Sequence, residues 1–120
     1  MRAWALIAAA LLAACADKTH PPRTIAGADA ARGLKVIRRV GCAACHVTPG
    51  VEWPRGVSGP SLEGFADSPM IAGRLPNTPD VLTRWLVDAP SLSAETGMPP
   101  IPLTPAEARD VAAYLYTLDD

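Results

Sequence analysis

Gly41-Cys42-Ala43-Ala44-Cys45-His46 is the stretch on which the reading of this chain turns. Two thiols three residues apart fall on one helical turn, and the residue after the second cysteine carries an imidazole. A dithiol redox pair with this spacing wants a βαβ setting, and no strand pattern of useful length surrounds the motif. A structural zinc site wants a fourth ligand, and His20, in a polar stretch upstream, is poorly placed to supply one.

The Cys-x-x-Cys-His order is the signature of covalent haem c attachment, which is the chemistry expected here. Each thiol adds to a vinyl group of the porphyrin, and His46 projects at the iron. An iron held by histidine alone has a sixth position to fill. Met98 is the preferred ligand, because Gly97-Met98-Pro99-Pro100 places a thioether in a stiff loop rather than on an apolar helical stripe, where gap-filling methionines sit. Met70, in Ser68-Pro69-Met70, is the competing candidate.

Working outward, the segment before the motif reads as a helix from Asp29, a suitable N-cap, to about Val40. Ala30, Gly33, Leu34 and Ile37 recur at three- and four-residue steps, and Gly41 ends it. After His46 come Pro49, Gly50, Pro54, Gly56, Gly59, Pro60, Gly64, Pro69, Gly73 and Pro76, a stretch that reads as loop with a short helical turn between Ser61 and Asp67. So long a connection in so small a domain needs something to wrap, and a haem edge meets that need.

Thr78-Pro79-Asp80 opens a second helix, with Thr as N-cap, Pro in the first turn and an acid at the positive end of the dipole. Val81, Leu82, Trp85, Leu86 and Ala89 form its apolar face, and Pro90 is expected to stop it. A third helix begins at Thr104-Pro105-Ala106-Glu107 with a capping box, and Ala108, Val111, Ala112, Leu115 and Leu118 give its stripe. The expectation is an all-α domain over 28–120, three main helices and short helical turns wrapped around one covalent haem.

The first fourteen residues read as an export signal: Arg2, an apolar run from Ala3 to Leu12, then small residues. Ten apolar residues are too few to span a bilayer. Leu12-Ala13-Ala14-Cys15 resembles the lipobox of bacterial lipoproteins, which implies lipidation of Cys15; the rival is ordinary cleavage after Ala14-Cys15-Ala16, leaving Asp17 first. Residues 15–27 are then a lipidated N-terminus and flexible tether, about ten residues with a reach of roughly 18 Å.

Without Arg2 the eleven basic side chains become ten against twelve acidic ones, so nucleic acid is not an expected partner. A mature chain of about a hundred residues with a single Phe gains much from a bulky apolar cofactor.

From Gly27 to Leu118 the chain resembles class I cytochromes c. Gly33 and Ile37 with Val111 and Tyr114 look like the family's crossing of terminal helices, where Gly admits an aromatic ring. Gly59-Pro60-Ser61-Leu62 resembles the segment whose proline carbonyl accepts the ring N–H of the proximal histidine, His46 here. The resemblance also implies that Trp85 packs on the haem near the methionine. Arg74 and Asn77 are candidates to pair with the haem propionates, with Trp53 and Arg55 as alternatives.

The resemblance implies an electron carrier rather than an enzyme, with outer-sphere transfer of one electron through an iron closed on both faces, and a potential raised by the thioether. Implied partners are redox proteins such as a quinol:cytochrome c reductase, a terminal oxidase or a periplasmic dehydrogenase. Implied location is the periplasmic side of a bacterial membrane, lipid-anchored or soluble. Two alternatives are a small-ligand binder, sensor or weak peroxidase if Met98 is not a ligand, and a small subunit of an oxidase or dehydrogenase complex.

Overall fold

The computed structural model of the chain describes residues 23–120. The expected signal segment, Cys15 and His20 lie outside the described residues.

Helix α1 spans Ala30–Val40. The side chain of Asp29 accepts a hydrogen bond from the Arg32 N–H, and Gly41, at φ 81°, closes the helix with its own N–H on the Ile37 carbonyl. A left-handed residue at that position favours glycine, which meets no steric conflict from a Cβ there. A 3₁₀ turn follows at Cys42–Ala44 and another at Phe65–Asp67, the latter inside the stretch read as a helical turn.

Helix α2 spans Pro79–Leu92 and departs from expectation at both ends. At its start the Thr78 hydroxyl makes no capping bond; only its backbone carbonyl serves, accepting from the Leu82 N–H at 2.8 Å. At its end Pro90 does not stop the helix. The break falls at Asp88, whose φ of −150° and ψ of 76° are non-helical, and a last helical turn resumes beyond it. The proline ring has no N–H for the ladder and crowds the carbonyl four residues back, so the chain kinks ahead of it. Asp88 then caps the resumed turn, its carboxylate accepting from the Ser91 N–H at 3.3 Å.

Helix α3 spans Pro105–Leu115, with both arms of the Thr104–Glu107 capping box in place. One feature was not legible as strand: Met70–Ile71 (β1) and Leu75–Pro76 (β2) form a two-residue antiparallel hairpin, Met70 opposite Pro76 and Ile71 opposite Leu75. The turn between them places Ala72 and Gly73 at positive φ. Two residues per strand are too few for any alternation to show.

The core joins all three helices: Ile37 of α1, Leu82, Trp85, Leu86 and Ala89 of α2, Val111, Ala112 and Leu115 of α3, with Ile71 from the hairpin. Each large side chain buried this way contributes on the order of 2 kcal/mol. The α1–α3 crossing is close because of Gly33. A Cβ there would collide with the Asp110 carbonyl, lying 2.6 Å from its carbon and 3.0 Å from the Val111 nitrogen. The glycine therefore admits backbone, not the aromatic ring expected of Tyr114. That ring turns elsewhere, its hydroxyl donating to the Pro49 carbonyl at 2.7 Å.

The segment read as a tether up to Gly27 is docked from Arg23 onward. The Arg23 guanidinium donates to the Ala66 carbonyl at 2.6 Å and lies over the Tyr116 ring at 5.3 Å from its centroid, while Ile25 packs on the core. Single anchoring residues leave no periodic signature, so the sequence showed only polarity here.

Candidate functional site

The turn after α1 brings Cys42, Cys45 and His46 together by its own backbone bonds. The N–H groups of Cys45 and His46 both donate to the Cys42 carbonyl, at 3.1 and 3.0 Å. Neither thiol is in a disulfide; Cys42 is half-buried and Cys45 exposed. Burial pushes the Cys42 thiol above its ordinary pKa, reinforced by the nearby Cys45 and opposed by a backbone hydrogen bond.

A strap of loop backs this turn. Gly56 N–H donates to the Ala43 carbonyl at 2.9 Å, Gly59 N–H to Cys45 at 2.8 Å and Leu62 N–H to Val47 at 2.9 Å, three rungs in parallel. The strap approaches closely enough that a Cβ on Gly56 would lie 2.6 Å from Cys45 Cα. Thr48, fully buried, donates its hydroxyl to the His46 carbonyl at 3.1 Å.

His46 Nδ1 lies 2.6 Å from the Pro60 carbonyl oxygen. A carbonyl only accepts, so Nδ1 carries the proton and Nε2 keeps a bare lone pair in the neutral ring. That is the tautomer a metal ligand requires, and the hydrogen bond raises the basicity of the coordinating nitrogen. Two unoxidised thiols one turn away and a metal-ready imidazole fit a covalent haem.

Met98 stands apart, on the loop between α2 and α3. It is half-buried against the core cluster that Cys42, Val51, Leu62, Phe65, Leu75 and Val81 also pack on. Met70, on β1, is exposed. Trp85 is buried within the cluster itself.

The four candidates for the propionates are placed differently. Asn77 is 3 % exposed, and its amide is spent inside the protein. Nδ2 donates to the carbonyls of Ser68 at 2.9 Å and Phe65 at 3.4 Å, and Oδ1 accepts from the Tyr116 hydroxyl at 3.1 Å. With both N–H groups engaged, Asn77 braces the Phe65–Pro69 segment instead of presenting a donor to a propionate. Arg74 is exposed and paired with Glu95 at 2.7 Å, which ties the hairpin to the Met98 loop. Trp53 is 84 % exposed and Arg55 is also exposed.

Sequence reasoning missed Thr48 and the spacing role of Gly56 and Gly59 behind the motif, and the Arg23–Tyr116–Asn77 network beside it. Gly56 was visible only as a turn former and Gly59 only as part of the segment that carries Pro60; their use as space for the cysteine turn and the His46 ring depends on tertiary approach.

These features, a Cys-x-x-Cys-His turn closing one helix of a three-helix all-α domain with the histidine braced by a carbonyl, define a c-type cytochrome. The cytochrome c family model matches residues 30–119, and the chain belongs to that family. It is accordingly a haem c-type electron carrier with covalently bound haem. The chain is also similar to cytochrome c oxidase subunit 2 of Alkalihalophilus pseudofirmus, 29% identical over 104 residues, covering 86% of this chain and 28% of that protein. The chain thus matches under a third of that relative's length.

Proposed function

We propose that this protein carries one haem bonded to Cys42 and Cys45, with His46 Nε2 as the proximal ligand and Met98 as the distal one, and that it relays single electrons outside the cytoplasm. The observation that carries the reading is the 2.6 Å approach of His46 Nδ1 to the Pro60 carbonyl, which puts a proton on Nδ1 and leaves Nε2 as the nitrogen available to a metal. Haem supplies the redox-active iron; the chain's residues attach it, orient the imidazole and exclude water. Met98 is favoured over Met70 because it is half-buried on the core while Met70 is exposed.

The acceptor we assign is a terminal oxidase, supported by the similarity to an oxidase subunit over most of this chain. Lipidation of Cys15 would hold the domain at the membrane surface and raise its effective concentration there without long-range charge steering. No helix among the described residues is long and apolar enough to cross a membrane.

The test is a variant series in the exported holoprotein. Cys42→Ala or Cys45→Ala should reduce or abolish haem staining after denaturing electrophoresis. Met98→Ala should abolish the thioether-to-iron charge-transfer band, lower the midpoint potential and admit carbon monoxide to the ferrous iron. Met70→Ala should do none of these. Native protein that binds carbon monoxide as readily as the Met98 variant overturns the distal assignment, and an intact mass beginning at Asp17 overturns the anchor.

A further inference from the structure

Gly59 lies directly against the imidazole of His46. A Cβ built on it would come within 2.5 Å of Cε1 and 2.7 Å of Nδ1, distances real Cβ atoms essentially never show, and 3.0 Å of Nε2. Its φ is not among the positive values of the chain, so backbone conformation does not demand glycine here; the requirement is space. The next residue, Pro60, supplies the carbonyl that holds Nδ1, and the Gly59 N–H is itself fixed on the Cys45 carbonyl at 2.8 Å. The ring is thus confined on one side by a Cα with no substituent and at one nitrogen by a hydrogen bond. Both come from one strap that cannot shift without losing its rungs.

We infer that Gly59 is a positioning residue for His46, setting the plane of the imidazole and the length of its bond to Pro60. The inference rests on His46 being the proximal ligand. A methyl group at position 59 has nowhere to go but into the ring. The imidazole must tilt, the Nδ1–Pro60 hydrogen bond must lengthen, and Nε2 becomes a weaker base. A weaker donor stabilises ferric iron less, so the potential rises.

The experiment compares holoprotein of Gly59→Ala with that of Gly27→Ala. Gly27 lies ahead of α1 at φ 74° with open space around it, so its substitution strains the backbone without touching the ring. Gly59→Ala should raise the midpoint potential, move the hyperfine-shifted imidazole resonances of the ferric protein and speed exchange of the Nδ1 proton. Gly27→Ala should lose stability with the potential and these signals unchanged. A Gly59→Ala protein that loses stability while keeping the wild-type potential and imidazole signals overturns the positioning role. If that variant yields no holoprotein, the wild-type ferric spectrum decides: Gly59 Hα resonances should be paramagnetically shifted and cross-relax with the His46 ring, and their absence overturns the inference. His46→Ala protein that retains the native low-spin spectrum overturns the ligand assignment itself, a separate failure.

Discussion

The turn that carries Cys42, Cys45 and His46 is tied to the strap behind it by three backbone hydrogen bonds and by the imidazole itself, whereas the loop that carries Met98 has prolines at 99 and 100 where such bonds would begin. On the Met98 side the ties are sparse. Met98 N–H reaches the Thr96 hydroxyl at 3.2 Å, Thr96 N–H the Ser93 carbonyl at 3.1 Å, and the next backbone bond is Ile101 to Val87 at 3.0 Å. One half of the site is over-determined; the other is held by chain stiffness and by the packing of Met98 and Leu103 on the core. Segments with few buried hydrogen bonds open locally at lower free energy than the domain unfolds. Under the proposed ligation the thioether is therefore the bond that releases first, and the imidazole stays.

The strongest way to break this contrast is to damage the strap. Gly56→Ala would drive a methyl group into the Ala44 carbonyl and Cys45 Cα, which are backbone atoms with no freedom to yield. Overpacking of this kind costs about 1–3 kcal/mol, and losing the Gly56 and Gly59 rungs adds roughly 1 kcal/mol each. A lowered denaturation midpoint is the expected outcome, with haem incorporation reduced in proportion. A variant as stable as the parent would mean that the strap is soft.

Next in size is the crossing that anchors α1, the helix from which the cysteine turn hangs. Asp110 is 6 % exposed and accepts three bonds there, from Arg32 Nε at 2.8 Å, Arg32 Nη2 at 3.0 Å and the Asp29 N–H at 2.7 Å. The Arg32 hydrogen bonds hold its carboxyl below the ordinary carboxylate range, with the Asp29 N–H adding to the effect and burial opposing it. A depressed folded pKa means the contribution is fully present above the unfolded value, about 3.9, and is lost as pH falls through the lower folded value. Denaturation midpoints measured downward from neutral pH should fall in that window for the parent. Asp110→Asn should start lower, by roughly 1–3 kcal/mol, and show a flatter acid limb.

A smaller effect is expected on the other side. Pro99→Ala releases a fixed φ and adds an N–H with no assigned partner, raising the entropy of the opened loop by about 0.4–1 kcal/mol. Carbon monoxide binding to the ferrous protein, which under the proposed ligation has to wait for Met98 to leave, should speed up several-fold, and the unfolding midpoint should fall by no more than corresponds to the same amount, about 0.4–1 kcal/mol, which the unfolded chain gains too. Carbon monoxide binding at the parent's rate would mean that Pro99 does not stiffen the distal loop.

How much of this was legible follows the same division. The α1 cap at Asp29 and its left-handed end at Gly41, the capping box at Thr104 and Glu107, and the apolar stripes of α2 and α3 are local signals, and the structure has them as read, except that α3 ends at Leu115 and Leu118, read as the last residue of its stripe, packs on the core from beyond the helix. The Cys-x-x-Cys-His spacing and Pro60 were legible because their geometry is set within a few residues or by family resemblance. What escaped was nonlocal. Asn77 reads as a candidate propionate partner, yet it is buried and bonded to a Tyr116 hydroxyl that arrives from beyond α3. Gly33 reads as room for an aromatic ring and Gly56 and Gly59 as turn residues, yet what they make room for is the Asp110–Val111 backbone, the Ala44–Cys45 backbone and the His46 ring. Arg23 reads as tether until Ala66 and Tyr116 are brought to it. The kink at Asp88 lies between: Pro90 announced a disturbance, but its position depended on where the ring collides.

The slightest expected effect is the sharpest test of the contrast. Arg74 and Glu95 pair at 2.7 Å, joining the hairpin to the Met98 loop, and by distance alone this ion pair is the most direct tie that loop has. Both side chains are largely in solvent, where ordering them costs entropy and salt screens their attraction, so the pair contributes about 0.5 kcal/mol or less. Arg74→Ala should change the rate of carbon monoxide entry by no more than about twofold, and added salt should have as little effect on the parent. A tenfold acceleration, restored by the charge swap Arg74→Glu with Glu95→Arg, would show that the distal loop hangs on one specific contact. Packing and proline stiffness would then be spectators, and the two halves of the site would be held by the same kind of tie after all.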